Sequence, residues 1–368
     1  MKISVTKEDL SAGLQSVQNV VGARSTLPIL SNVLLVAGDG KLELRATDLE
    51  VSIHAAVPAT VDSEGASSLP AKRMFGLVRE IEASGIDLEI NDKEIASVQA
   101  GGAKYKLHGI SAAEYPPTAQ FKESGTIRVS QATFREMIRK TAYAVSTDES
   151  RHQLNGINIV AEPERLTLVA TDGRRLALVE EEIENGAKAQ FILPTKAVAE
   201  LQRLLQSEGD VEIKVGDTHA EITLPQDGGE PIKIHSKLVE GNYPNYKQVI
   251  PSNDNTQVIT VVKEELHHAL RRADQITSDK ANSVKLKFAD NTLSITANTP
   301  DIGSGLESIA IKYTGPEIEV AFNPVFLMDP LKILEEEEIR FELTDSLSPG
   351  VIKGNTPFLY VIMPMRTN

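Results

Sequence analysis

Few residues of this 368-residue chain are grouped as reactive chemistry requires. His267 and His268 adjoin, and paired imidazoles are common transition-metal ligands. Neighbours on a helix point about 100° apart, so both cannot easily reach one ion, and solvated helix histidines explain the pair. Glu335-Glu336-Glu337-Glu338 would attract a divalent cation, although such a run also reads as a solvated connection before the strand Ile339-Arg340-Phe341-Glu342-Leu343. Asp172, in Thr171-Asp172-Gly173, is a candidate acid. Turn chemistry accounts for the Asp-Gly pair but not for the basic Arg174-Arg175 and apolar Leu176 that follow. Cysteine is absent, which excludes a disulfide framework, a thiol nucleophile and a Cys-ligated zinc. The phosphate-loop, nucleophile-elbow, dinucleotide and H-E-x-x-H patterns are also missing. Neither a cofactor nor a metal is expected.

Charge points to binding instead. There are 38 Lys+Arg against 52 Asp+Glu, a net −14, which argues against a protein that coats phosphates with its whole surface. Segments 7–24, 71–83, 131–142, 195–207, 263–275 and 324–334 have helical patterning and together carry +4, leaving −18 elsewhere. Their cations could form one basic face or simply keep helices soluble. Aromatics are only 4%, so stacking platforms for single strands are not expected.

The elements that must position these residues recur. Ala46-Thr47-Asp48 returns as Ala170-Thr171-Asp172, Leu69-Pro70 as Leu193-Pro194, and Val5 with Leu10 as Val129 with Phe134, all at an offset of 124. Tyr115-Pro116 returns as Tyr243-Pro244, offset by 128. A third copy opens at Val261, Leu266 and Leu270 and carries Phe322-Asn323-Pro324 near the place of Leu193-Pro194. Each copy runs from strand to amphipathic helix, through alternating strands such as Lys41-Leu42-Glu43-Leu44-Arg45-Ala46, to a second helix and more strands. Pro70, Pro194 and Pro324 are expected in the first turns of the second helices, Asn323 as a cap, and Pro330 as a breaker. The fold class is α+β with antiparallel sheets, in three domains at 1–124, 125–251 and 252–368.

No apolar run is long enough to span a membrane, and the first residues lack the pattern of a secretory leader, so a soluble, cytoplasmic protein is expected. The segment Tyr360-Val361-Ile362-Met363-Pro364-Met365-Arg366 is unusually apolar for a terminus. Its methionines suit either core packing or an adaptable recognition surface.

The three copies, the turn Ala170-Thr171-Asp172-Gly173-Arg174-Arg175-Leu176, the segment Asn242-Tyr243-Pro244-Asn245-Tyr246 and the terminal Met363-Pro364-Met365-Arg366 together resemble the bacterial DNA polymerase III β subunit family, the sliding clamps. The resemblance implies a non-catalytic processivity factor that encircles duplex DNA regardless of sequence. It implies a ring with helices inside and sheets outside, closed as a head-to-tail homodimer. Six helices packed about 10 Å apart leave a hole of only about 9 Å, too small for a duplex about 20 Å across, whereas twelve leave about 28 Å. The alternative is an enzyme or small-ligand binder on a triplicated scaffold, with Asp172 and the 335–338 glutamates as its acids.

Carried over residue by residue, the resemblance assigns DNA contact to Arg24, Arg73, Arg135, Arg139, Arg151, His152, Lys196 and Arg203. It assigns the dimer contact to Tyr105 and Leu107 on one copy and Arg272 and Ile276 on the other. The acidic cluster usual near 301–307 is reduced to Asp301 and Glu307. A groove for short peptides takes Leu154, Thr171, Gly173, Arg174, Arg175, Leu176, Pro244, Val249, Leu347, Val361, Met363, Pro364, Met365 and Arg366. The implied partners are the replicative polymerase, an ATP-driven clamp loader, repair polymerases and mismatch-repair factors. Arg174 and Arg366 would meet the Gln or acidic positions of their peptides.

Overall fold

Apolar spacing and caps set where each helix of the computed structural model begins; the structure describes residues 1–22, 27–184, 188–251, 256–278, 282–354 and 357–366. Among them are six α-helices: α1 (Lys7–Val17), α2 (Ala71–Glu80), α3 (Gln131–Thr141), α4 (Thr195–Leu204), α5 (Lys263–Asp274) and α6 (Pro324–Leu331). Thr6 Oγ1 accepts from Asp9 N at 3.0 Å and Ser130 Oγ from Thr133 N at 3.0 Å, so the first helix of each of the first two repeats starts on a hydroxyl cap. Asn323 caps α6 as expected, accepting from Val325 N at 2.9 Å, with Pro324 as the first helical residue. Pro70 and Pro194 depart from expectation. Each closes a strand, and α2 and α4 begin one residue later. α1 stops at Val17, well before residue 24, although Val20 and Val21 beyond it are buried. α6, with Pro330 inside, has eight residues against ten to twelve in the other helices.

The repeats share sheets across their junctions. A five-stranded sheet belongs to the first repeat and ends in the edge strand Ala103–His108. An eight-stranded sheet joins first-repeat to second-repeat strands where Val51–Pro58 pairs antiparallel with Gly229–Lys237, Ile53 opposite Ile234. A twelve-stranded sheet joins second to third where Arg175–Glu182 pairs with Phe358–Ile362, Ala177 opposite Tyr360. Ile53 and Ala177 are separated by the same 124 residues as the sequence anchors. Contacts accordingly gather the chain into two compact units, Met1–Arg135 with Asn185–Ala189 and Lys196–Leu238, and Glu136–Glu184 with Gln190–Thr195 and Val239–Asn368. The division falls inside α3, so the second repeat contributes to both units rather than forming one of its own.

Strands with one face on a core alternate, as in Lys41–Thr47 and Asp210–Val215. Arg165–Thr171 does not: residues 166–170 are all buried, with Thr167 donating to Glu180 Oε1 at 3.1 Å. That strand is covered on both faces, and it leads into the turn at residue 172.

Candidate functional site: a docking groove and its neighbours

The turn between Arg165–Thr171 and Arg175–Glu182 is built by two short side chains. Thr171 Oγ1 accepts from Gly173 N at 3.0 Å and donates to Arg175 O at 2.6 Å, while Asp172 Oδ1 accepts from Arg174 N at 2.8 Å and Arg175 N at 3.0 Å. Gly173 has φ +85°, which favours glycine, and a Cβ there would lie 2.6 Å from Arg151 Nη1, so a larger residue would displace that guanidinium. Asp172 Oδ2 accepts from Arg175 Nε at 3.1 Å. Its carboxylate thus bonds both the turn backbone and the Arg175 guanidinium.

Beneath the turn, Leu154, Val169, Leu176, Ile192, Tyr243 and Val361 form one buried cluster flanked by half-buried Leu178, Val239, Tyr246, Ile250 and Leu359. The resemblance placed Leu154, Leu176 and Val361 together, and they are; Val169, Ile192 and Tyr243 are members that it did not assign. Burial pushes the phenols of Tyr143, Tyr243 and Tyr360 well above the ordinary tyrosine range, keeping them neutral.

The tail forms the other rim. Leu176 faces Val361 across the sheet, and Met363 N donates to Arg174 O at 2.9 Å. Met365 N donates to Ala321 O at 2.8 Å, anchoring the tail beside the strand Ile318–Phe322. Between these anchors Met363 is 41% and Met365 40% exposed, and Arg174 and Arg366 are exposed as well. An apolar surface with two cations on its rim suits an extended segment carrying large aliphatic or aromatic side chains and an acidic or amide group. Pro244 and Val249 are exposed, Pro364 is half-buried, and Leu347 is 79% exposed beyond the Asp345 turn.

Arg175 behaves differently from the rest of the groove set. Its side chain is 10% exposed and points inward, with Nη1 2.5 Å from Asp329 Oδ2 and Nη2 2.6 Å from Tyr143 O. The guanidinium lies over the Phe326 ring, 4.3 Å from its centroid. It does not line the surface.

The residues assigned to DNA contact divide in the same way. Arg73, Arg135 and His152 are exposed without an ion-pair partner among the described residues; Arg24 lies outside them. Arg139 pairs with Glu136 at 2.7 Å and Glu335 at 3.3 Å. Arg151 pairs with Asp148 at 3.3 Å and donates to Asp172 O at 2.9 Å, at the turn itself. Lys196 Nζ lies 2.5 Å from Glu50 and 3.0 Å from Asp48, and both carboxylates hold its pKa above the ordinary lysine value. Arg203 donates to Gln15 O at 2.9 Å and Ser16 O at 2.6 Å, covering C-terminal carbonyls of α1, and pairs with Glu200 at 2.6 Å. Both extended cations therefore tie α4 to the first repeat.

The residues assigned to the dimer contact lie on or beside two strand edges. Tyr105 is 42% exposed on the edge strand Ala103–His108, with Leu107 half-buried on the same strand. In the third repeat, Gly303–Lys312 pairs with Thr292–Thr299 on one side, but on the other pairs with Gln257–Val262 only at Ile311 and Lys312. Residues 303–310 thus present an unpaired edge with Leu306 72% exposed. Ile276 packs behind it, its Cγ1 3.4 Å from where a Cβ on Gly305 would lie. Arg272 donates to Glu307 at 2.6 and 2.9 Å and holds that carboxyl below the usual range. Glu307, one of the two acids left in that cluster, is therefore already engaged within the chain.

The adjacent histidines correct the geometry expected of them. With Glu264 one turn earlier on α5, the ligating atoms of Glu264, His267 and His268 lie within 4.8 Å of one another, because positions three and four apart share a helix face. Lys263 Nζ occupies the carboxylate at 3.2 Å. Glu338, at the end of the acidic run, pairs with Lys312 at 2.6 Å. Among the described residues no helix is long and apolar enough to cross a membrane.

Comparison with known proteins gives one consistent result. Models of the N-terminal, central and C-terminal domains of the DNA polymerase III beta subunit match residues 1–119, 128–245 and 247–366. The beta sliding clamp of Escherichia coli K12 is 34% identical and that of Chlamydia muridarum 31%, the alignments covering all of this chain and at least 99% of theirs. Among solved structures, a sliding clamp from Bartonella birtlesii bound to griselimycin aligns with a TM-score of 0.94 at 33% identity, and one from Bacillus subtilis with 0.93 at 29%; both alignments cover both chains fully.

Proposed function

The chain belongs to the DNA polymerase III β subunit family and is a DNA sliding clamp, and we infer that it acts as a non-catalytic, head-to-tail dimeric ring in the bacterial cytoplasm. The observation that carries the dimer is the pair of strand edges at Ala103–His108 and 303–310. Exposed apolar edges invite pairing by another chain, and two complementary ones on a single chain suit a closed ring of two copies. Tyr105 and Leu107 would meet Leu306 and Ile276 across that edge, beside Arg272. The domains are read as 1–124, 125–251 and 252–368.

Arg24, Arg73, Arg135, Arg139, Arg151, His152, Lys196 and Arg203 are proposed to approach phosphates. Those bound to carboxylates within the chain would make weaker, exchanging contacts than Arg73 and Arg135. Weak, sequence-independent contact is what sliding requires. Partners would be tethered at the groove between the Thr171–Arg174 turn and the tail: the replicative polymerase, the ATP-driven loader, repair polymerases and mismatch-repair factors.

Retention on DNA tests the reading. Protein loaded onto a nicked circle should co-elute with it in moderate salt and be released once the circle is linearised, equally for unrelated sequences. A monomeric mass at micromolar concentration, or retention that depends on sequence, would overturn it.

A further inference from the structure

The turn and the tail that border the groove do not touch the same neighbours by chance of folding; a buried charge spans the elements that carry them. Arg175 stands at the end of the turn, and Asp329 lies on α6, in the third repeat. Each guanidinium nitrogen of Arg175 is engaged: Nε with Asp172 Oδ2 at 3.1 Å, Nη1 with Asp329 Oδ2 at 2.5 Å and Nη2 with Tyr143 O at 2.6 Å. Phe326, one turn before Asp329, lies beneath the guanidinium plane. The second carboxylate oxygen of Asp329 accepts from Lys332 Nζ at 2.9 Å. The tail hangs between the same two elements, from Arg174 O through Met363 N and from Ala321 O, just before α6, through Met365 N.

On the reading that this groove receives partner peptides, we propose that Arg175 and Asp329 are positioning residues: the pair fixes the span between turn and α6, and so holds Met363 and Met365 in the geometry that a peptide meets. Neither residue touches the peptide. With each nitrogen bonded inside the fold, one face on Phe326 and only 10% of the side chain exposed, this guanidinium is turned away from the surface a peptide would meet. A residue acting through span affects all ligands alike, whereas a residue bonding the ligand's acid affects acidic ligands selectively. Arg174, exposed on the rim, is of the second kind.

The test uses the full dimeric protein and two labelled peptides with the same Leu and Phe anchors, one with an acidic residue and one with Gln in its place. Asp329→Ala should weaken both by the same factor, about tenfold, while Arg174→Ala weakens the acidic peptide more. Hydrogen exchange at the Met363 and Met365 amides should quicken in Asp329→Ala by more than at protected amides elsewhere in the chain, whereas loss of overall stability spread evenly over the fold would quicken all of them alike. Asp329→Asn, which keeps an acceptor of the same shape, should recover most of the affinity and serves where the alanine variant folds poorly. Unchanged binding of both peptides in the variants, or a loss confined to the acidic peptide, refutes the positioning role while leaving the groove intact. Failure of the unaltered protein to bind either peptide refutes the groove itself.

Discussion

Replacing Met363 and Met365 by alanine separates the two roles that the tail's composition allows. Fully burying a methionine side chain is worth about 1.5–3 kcal/mol. Since 41% of Met363 and 40% of Met365 remain exposed, a peptide that covers them gains about 0.6–1.2 kcal/mol from each. The double variant should then bind any groove peptide about 7- to 50-fold more weakly, at roughly 1.4 kcal/mol per tenfold. The buried remainder of each side chain packs within the fold, so the thermal midpoint should also fall by several degrees. Fluorescence anisotropy with a labelled peptide, read well below that midpoint, measures the first effect. Sedimentation of the same sample reports whether the dimer survives, which it should, because neither methionine lies on the strand edges proposed to pair. A lowered midpoint with peptide affinity changed less than twofold would refute the reasoning and make the tail ordinary core.

Gly156→Ala places a Cβ 2.4 Å from Leu193 O, so a strand must shift; a loss of about 1–3 kcal/mol is expected in chemical denaturation. Arg203→Ala strips bonds from α1 carbonyls and should cost about 1 kcal/mol of stability; if the side chain instead spends its time on phosphate, the slope of log affinity against log salt will drop by about 0.9. Burial, with His235, Arg45 and Lys233 nearby, lowers His54 to about 3 from its ordinary 6.5. The unfolded chain thus binds a proton that the folded chain excludes between those values, and stability falls as pH drops below about 6.5. Between pH 7 and 5 the partly exposed ring should account for about 1 kcal/mol, and His54→Gln should flatten that slope in urea titrations.

The repeat was legible because its anchors are apolar residues at fixed spacing and turn residues with specific backbone duties. The start of the helix Pro324–Leu331 was legible for the same reason, since Asn323 accepts backbone hydrogen bonds; the hydroxyl caps at Thr6 and Ser130 were not singled out in the sequence. Helix ends were not legible. Val20 and Val21 continue the apolar pattern of α1 and are buried, yet they lie beyond the helix, so periodicity overran its end. The resemblance located the groove's apolar members but could not orient Arg175, because its partner Asp329 lies 154 residues away and nothing local announces the pair. For the same reason nothing local announced that Lys196 and Arg203, which the resemblance assigns to phosphate, also bond Asp48, Glu50 and the α1 carbonyls.

The duplicated turn shows how a site arises on a repeated frame. Around Thr47 and Asp48 the first repeat makes the same four hydrogen bonds as the second: Leu49 N to Thr47 Oγ1, Thr47 Oγ1 to Val51 O, and Glu50 N and Val51 N to Asp48 Oδ1. What differs is the three residues that follow the aspartate. Leu49 takes the left-handed φ of 78° that Gly173 adopts without a Cβ, at a cost of about 1–2 kcal/mol. Glu50 stands where Arg174 would, and Lys196 neutralises it. Val51, in the place of Arg175, is wholly buried and carries no charge to reach another element. The backbone frame is therefore indifferent to function. The second copy leaves one cation outside, Arg174, and turns another, Arg175, inward to a helix of the third repeat; the first copy uses the same positions for an ion pair and for its own core.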